Sequence, residues 1–319
     1  MKPHAYSTTT ADSAVAGPLP EQEATSGDRR VAHRFGDWQL AETLSVGDLT
    51  ATYTAYPFGA TPACHYVVKT LAENTSHADL ARTLLQREAF VSQEVSHPHL
   101  IPVLDSQLKK PPYFLVTPYL TGTTLRTLLN SVEKLDVTTS LWVTRQVAQG
   151  LAALHSQNWM HADIKPENIF LAPDGHVTLI DLGFARHFEE SGSACNRRIQ
   201  GTFNYIAPET ITSAHRNGAA CDIYSLGATL YEMLSGKPPF QEHTLADLAR
   251  AHREQRPTSL RELLPEVGEA VSSLVVRMLA KQPVRRESST PALIDQLVKL
   301  EIDGLARSAL NPVVTQNAR

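Results

Sequence analysis

The chain has 319 residues, 42% of them hydrophobic and 19% charged, with a formal net charge of −4. That length can bury one large core or two smaller ones, and the charge balance leaves no footprint for nucleic acid and no polybasic patch for a membrane surface. No apolar run reaches bilayer length, the opening MKPHAYSTTT has no signal-peptide core, and Cys64, Cys195 and Cys221 lack C-x-x-C spacing, so a cytoplasmic protein with bland thiols is expected.

Residues 1–35, rich in Ser, Thr, Ala, Pro and Glu without an apolar period, read as a disordered tail. Order is expected from Phe35-Gly36-Asp37-Trp38 onward, and 38–71 read as strands separated by turns. They end in Tyr66-Val67-Val68-Lys69-Thr70-Leu71, a β-branched strand with a single lysine. Next, Leu80, Leu84, Glu88, Val91 and Val95 fall on one helical face, which sets Glu88 inside an apolar stripe. A carboxylate there needs a cation, or it bears a desolvation cost of roughly several kcal/mol. Lys69 is the natural partner, with Arg82 and Arg87 on the same helix as alternatives. His97-Pro98 stops the helix.

Strands are expected at 100–104 and 113–116, the latter leading into Thr117-Pro118-Tyr119-Leu120-Thr121-Gly122, where the proline ends pairing and marks a connector. From Leu125 the character turns helical, with Leu141, Val147, Leu151 and Leu154 on a long amphipathic helix. The shift in composition near residue 120 predicts a boundary between a small β-rich lobe and a larger helical one.

The run 159–186 follows. Ile169-Phe170-Leu171 and Val177-Thr178-Leu179-Ile180 flank Pro173-Asp174-Gly175, which predicts a β-hairpin. Antiparallel arms bring Asn168 close to Asp181, with Asp163 and Lys165 just upstream. An amide, two carboxylates and an ammonium at one hairpin end suit a hard cation bound to phosphate. Residues 184–204 read as a long mobile loop ending at Gly201-Thr202-Phe203-Asn204-Tyr205-Ile206-Ala207-Pro208-Glu209. A buried helix is expected at 223–234, with Asp222 as N-cap and Gly236 as stop. Leu274, Val275, Met278 and Leu279 mark another, 292–300 form the last, and residues from 303 read as a tail.

In their order these features resemble the protein-kinase family over about residues 36–302. The motifs are Val67-Val68-Lys69, Glu88, His161-Ala162-Asp163-Ile164-Lys165-Pro166-Glu167-Asn168, Asp181-Leu182-Gly183 and Ala207-Pro208-Glu209. The resemblance implies an α+β, two-lobed kinase fold, with a β-rich N-lobe at about 36–118, a mainly helical C-lobe at about 121–302 and tails at 1–35 and 303–319. It also implies an ATP-dependent serine/threonine protein kinase acting on protein substrates with Mg²⁺, or Mn²⁺. By the same resemblance Lys69, held by Glu88, binds phosphates, and Asp163 accepts the substrate hydroxyl proton. Lys165 stabilises the transferring group, and Asn168 and Asp181 hold the metal. Leu44, Ser45, Gly47, Thr52, Val67, Thr117, Pro118, Leu120 and Phe170 line the ATP site. Glu209 pairs with Arg286, Asp222 bonds the catalytic-loop backbone, His161 packs, and Leu182, Gly183 and Thr202 complete the structural and regulatory set.

Several positions depart from the family pattern. Ser45 and Thr50 replace glycines in the phosphate loop, leaving Gly47, and Thr52, Val67 and Phe170 alter the adenine pocket. Ala162 replaces the arginine that grips a phosphorylated loop, so a phosphate on Ser191, Ser193 or Thr202 loses its main charged partner, and activity without loop phosphorylation is expected. Ser92 in a usually apolar position leaves the Glu88 helix mobile and open to a regulator. The alternative reading is a pseudokinase scaffold with a degenerate glycine-rich loop; a small-molecule phosphotransferase is disfavoured by 201–209.

Overall fold

A computed structural model of the chain describes residues 34–190, 203–211 and 218–310, with side chains to residue 304. Thr202, and with it Ser191, Ser193 and Cys195, lies outside the described residues.

β-Branched and aromatic residues in period-two alternation build the first sheet. Its strands are β1 (Arg34–Phe35), β2 (Trp38–Val46), β3 (Thr50–Pro57), β4 (Tyr66–Leu71), β5 (Asp105–Gln107) and β6 (Phe114–Pro118), in the order β1-β2-β3-β4-β6-β5. All neighbours are antiparallel. Leu40, Ala55, Val68, Phe114 and Val116 form a small core on one face.

Helix α1 (Ala78–Glu94) follows β4. Glu88 and Val91 are buried as expected, but Ala81 and Leu85 take the inner places assigned to Leu80 and Leu84. Each i+4 step turns the helix about 400°, so a stripe counted backwards from Glu88 drifts by about 40° per step and leaves the inner face. The strand expected at 100–104 is absent. Pro102 has no N–H, and the donors around it go elsewhere: Ile101 N to Leu179 O at 2.9 Å, Val103 N to Ser92 Oγ at 2.8 Å and Leu104 N to Val116 O at 2.8 Å. The polar β5 pairs with β6 instead. Ser92 is thereby committed to the loop that leaves α1, which anchors that exit rather than loosening it.

The second lobe holds β7 (Thr123–Thr124), α2 (Leu125–Ser131), α3 (Val137–Ser156), β8 (Trp159–Met160), β9 (Ile169–Leu171), β10 (Val177–Leu179) and β11 (Arg186–His187). It continues with α4 (Pro208–Ile211), α5 (Ala219–Ser235), α6 (Leu245–Glu254), α7 (Leu260–Leu263), α8 (Glu269–Met278) and α9 (Thr290–Leu310). Leu141, Val147, Leu151 and Leu154 of α3 pack with Ile223, Tyr224, Leu226 and Leu230 of α5 in one large core that also takes in Val91 and Val95. Asp136 caps α3 by accepting the Thr139 N–H at 2.9 Å. Helix α9 runs beyond residue 303, where the sequence suggested a tail. Asp222 is not the N-cap of α5: the helix starts a turn earlier, capped at Gly218, while Gly236 ends it in the left-handed conformation at φ +79°.

The chain crosses between lobes within residues 119–122, since β6 ends at Pro118 and Thr123 already pairs with Leu171. Pro118 faces Tyr66 as the last paired residue of the ladder, so pairing ends at the proline as expected. Gly122 sits at φ +137°, and a Cβ there would lie 2.1 Å from Leu171 O, so only glycine lets the connector lie against β9. No helix among the described residues is long and apolar enough to cross a membrane.

Candidate active site

Hairpin β9–β10 pairs Leu171 with Val177, Phe170 with Thr178 and Ile169 with Leu179. Gly175, at φ +85°, donates its N–H to Ala172 O at 2.9 Å and closes the Pro-Asp-Gly turn. At the open end Ile180 N donates to Asn168 O at 2.9 Å, which brings Asn168 and Asp181 together.

Asp163 is buried on the loop before β9. Its Oδ2 accepts from Asn168 Nδ2 at 2.9 Å and lies 2.8 Å from Lys165 Nζ. Asn168 Nδ2 also reaches Asp163 O at 2.8 Å. The amide nitrogen is thus committed, which leaves Oδ1 as an acceptor. Asp222 holds this loop from beneath: its carboxylate accepts from His161 N at 2.8 Å and Ala162 N at 2.9 Å, and lies 2.9 Å from His155 Nε2. Burial would raise the Asp222 pKa, but the bond to His155 and the neighbouring donors hold it below the usual carboxylate range. Ala162 and Asp181 both sit at φ +66°, a left-handed backbone that costs a side-chain-bearing residue about 1 kcal/mol or more. The strain is stored where the loop is built.

From the other lobe Lys69 Nζ arrives 2.8 Å from Glu88 Oε2 and 2.9 Å from Asp181 Oδ1. Burial alone would lower the Lys69 pKa, but Asp181 and Glu88 outweigh it and hold the ammonium above the ordinary lysine value. Burial raises the pKa of Glu88, the more enclosed carboxylate; burial would raise that of Asp181 as well, but the Lys69 charge and hydrogen bond hold it below its usual value. The alternative partners are engaged elsewhere: Arg82 lies over the Tyr113 ring, and Arg87 donates to Ala185 O at 3.2 Å and pairs with Glu190.

Across this cleft β2 and β3 set Ser45 opposite Thr52, with hydroxyls 2.7 Å apart, and Gly47 N donates to Thr50 O at 2.9 Å. Leu44 is exposed beside them. Val67 pairs with Thr117 in the β4–β6 ladder. Tyr119 N donates to His65 O at 2.8 Å, so by the alternation of an antiparallel ladder the Pro118 carbonyl faces away from β4. Leu120 follows, half-buried, and Phe170 is half-buried on β9.

Gly183 N donates to Asp181 Oδ1 at 3.2 Å, and a Cβ on Gly183 would lie 3.1 Å from that oxygen and 3.3 Å from Leu84 Cβ. Leu182 is fully buried. His161 is enclosed, and burial lowers its pKa; Nδ1 accepts from Asp163 N at 3.3 Å, which fits a packed neutral ring. Arg286 grips Glu209 with both terminal nitrogens, at 2.6 and 2.8 Å.

Two sets of residues escaped the sequence reading. His155 joins Asp222 to Thr290, whose Oγ1 lies 2.6 Å from Nδ1. Arg126 donates to Glu167 at 2.7 Å and Glu232 at 2.8 Å, and Tyr205 donates to Glu232 at 2.5 Å. A carboxylate inside the apolar α5 was the available signal, the same one that singles out Glu88.

A β-rich lobe and a helical lobe with two ammoniums, three carboxylates and an amide gathered between them define the class. Residues 41–298 match the family described as protein kinase domain. The chain belongs to the protein kinase family. It is 31% identical over 260 residues to the serine/threonine-protein kinase PknD of Mycobacterium tuberculosis, an alignment covering 81% of this chain and 38% of PknD. The probable serine/threonine-protein kinase PknB of Lactococcus lactis is 28% identical over 214 residues, 67% of this chain and 34% of that protein. A probable serine/threonine-protein kinase of Streptomyces coelicolor is 30% identical over 267 residues, 80% of this chain and 38% of that one. The chain therefore spans little more than a third of the length of these relatives.

Proposed function

We propose that this chain is an ATP-dependent protein kinase that transfers the γ-phosphoryl group to Ser and Thr hydroxyls of protein substrates, with its catalytic domain at about residues 36–302. The observation that carries this reading is Lys69, fixed between Glu88 and Asp181 and set opposite the Asp163, Lys165 and Asn168 cluster. An ammonium held by carboxylates from two different elements is positioned to bind the oxygens of an oligophosphate.

In this mechanism Asp163 orients the substrate hydroxyl and accepts its proton, while Lys165 meets the charge on the transferring group. Among the described residues no group of three or more His, Cys, Asp or Glu could hold a metal alone. The hard oxygens of Asn168 and Asp181 nevertheless fit Mg²⁺, or Mn²⁺, whose remaining ligands are phosphate and water. The ion, when bound, neutralises phosphate charge. Leu44, Val67, Thr117 and Phe170 flank the adenine, and the Pro118 carbonyl and Leu120 N–H bond it. Orientation and electrostatics then supply most of the rate. Lys165 in the catalytic loop and the Gly201-Thr202 pair favour Ser/Thr over Tyr acceptors.

The test is transfer of labelled phosphate from ATP to a generic basic protein, with wild type and Asp163→Asn compared under Mg²⁺ and Mn²⁺. Asp163→Asn should lower the rate by about 10²–10⁴-fold. Equal signals from the two proteins would sink the reading.

A further inference from the structure

The large lobe carries a groove of about 930 Å³ that none of the cleft residues lines. Its walls come from the chain after α6, from α8 and from the segment before α9. Arg256, Arg277, Lys281 and Arg285 contribute positive charge to it, and Glu262 is its only acidic residue. Arg277 is taken up by Glu287 at 3.0 Å. Arg256 and Arg285 are exposed, and neither has an ion-pair partner among the described residues. Lys281 is half-buried, its ammonium 4.3 Å from the centre of the Phe240 ring. Burial first, then the charge of Arg286, pushes the Lys281 pKa down to about 8. Positive charge is therefore in excess here, on a chain whose formal net charge is −4.

Apolar surface accompanies that charge. Val276, which lines the groove, is 56% exposed, and Val284, next to Arg285 in the chain, is 90% exposed. Uncovered valines beside uncompensated arginines suit a ligand that brings aliphatic groups and acids together. A nucleic acid or an anionic membrane surface satisfies only the charge and leaves the exposed valines uncovered. An extended peptide satisfies both requirements, because successive side chains point to opposite sides.

We propose that this groove docks an extended acidic segment of a partner protein, its carboxylates meeting Arg256 and Arg285 and an aliphatic side chain covering Val276. Bidentate carboxylate pairing gives such a site both register and charge selectivity. The groove wall is also tied to the substrate side of the lobe. Arg286, which grips Glu209, donates from Nε to Ala280 O at 2.8 Å, and Ala280 lines the groove. Docking stands apart from phosphoryl transfer, and its test uses no ATP.

The experiment is fluorescence anisotropy on the full chain with a short labelled peptide alternating Glu and Leu. The same peptide with Gln for Glu, the same peptide with Lys for Glu, a single-stranded RNA and phosphatidylserine vesicles are run beside it. The Glu peptide should bind and the Gln peptide bind at least about tenfold more weakly. Arg256→Glu combined with Arg285→Glu should abolish binding of the Glu peptide and create binding of the Lys peptide, which shows that the variant is folded. Equal binding of the Glu and Gln peptides overturns the proposal, as does an unchanged affinity in the double variant. Tighter binding of RNA or vesicles that depends on Arg256 also overturns it.

Discussion

The hydroxyls of Ser45 and Thr52 lie 2.7 Å apart across the β2–β3 hairpin. The bond ties together two strands that border the cleft and so holds the phosphate loop between them stiff. A net hydrogen bond of this kind is worth about 1 kcal/mol, or roughly a fivefold change in an equilibrium constant. Ser45→Gly with Thr52→Val should therefore lower KM for ATP by about fivefold with little change in kcat, read by steady-state kinetics with ATP varied.

Glu88 is the buried end of the pair with Lys69. Glu88→Ala leaves Lys69 with Asp181 alone and empties a buried position on α1, whose Val91 belongs to the large core. The loss of a buried partner should cost about 3 kcal/mol in stability, measured by urea unfolding. The kcat/KM for ATP should fall by more than tenfold as Lys69 moves toward Asp181. Arg82→Ala should leave both unchanged, because Arg82 serves the Tyr113 ring.

Burial would raise the Glu209 pKa, yet the bidentate bond from Arg286 holds it below the ordinary value. A carboxylate whose folded pKa is depressed contributes stability above its unfolded pKa and loses it as pH falls through the folded one. Glu209→Gln should thus lower Tm most near neutral pH, and the gap to wild type should close as pH drops below about 4. A constant gap across pH 7 to 3, followed by thermal melts, would contradict the assignment.

Ala162 sits at φ +66° where the family pattern has an arginine. Ala162→Val, which adds a β-branch to a left-handed residue, should cost about 2 kcal/mol, while Ala162→Gly should be neutral or slightly stabilising. The missing guanidinium also predicts that phosphatase treatment leaves kinase activity unchanged. Activity abolished by phosphatase and restored by autophosphorylation would show that the loop does need its phosphate.

Hairpin β9–β10 was legible because its information is local. Pro173-Asp174-Gly175 determines the turn, and two alternating arms then bring Asn168 to Asp181 by antiparallel geometry alone. Glu88 was legible for a similar reason, since a carboxylate in an apolar stripe announces a partner. Glu232 carried the same signal in α5, but its partner Arg126 is far off in sequence and its helix is buried nearly all round, so no single face singles it out.

What the chain by itself determined were the elements and the kinds of group that must meet. Tertiary structure decided which groups actually meet. Glu88 takes Lys69 rather than the arginines of its own helix because β4 carries the ammonium to it, while Arg82 and Arg87 point to Tyr113 and Ala185. Asp222, a reasonable helix cap on local grounds, is instead drawn beneath the catalytic loop, where the His161 and Ala162 N–H groups would otherwise be buried without an acceptor. Buried donors and charges must be satisfied wherever the fold leaves them, and their partners are fixed only when the lobes and helices pack.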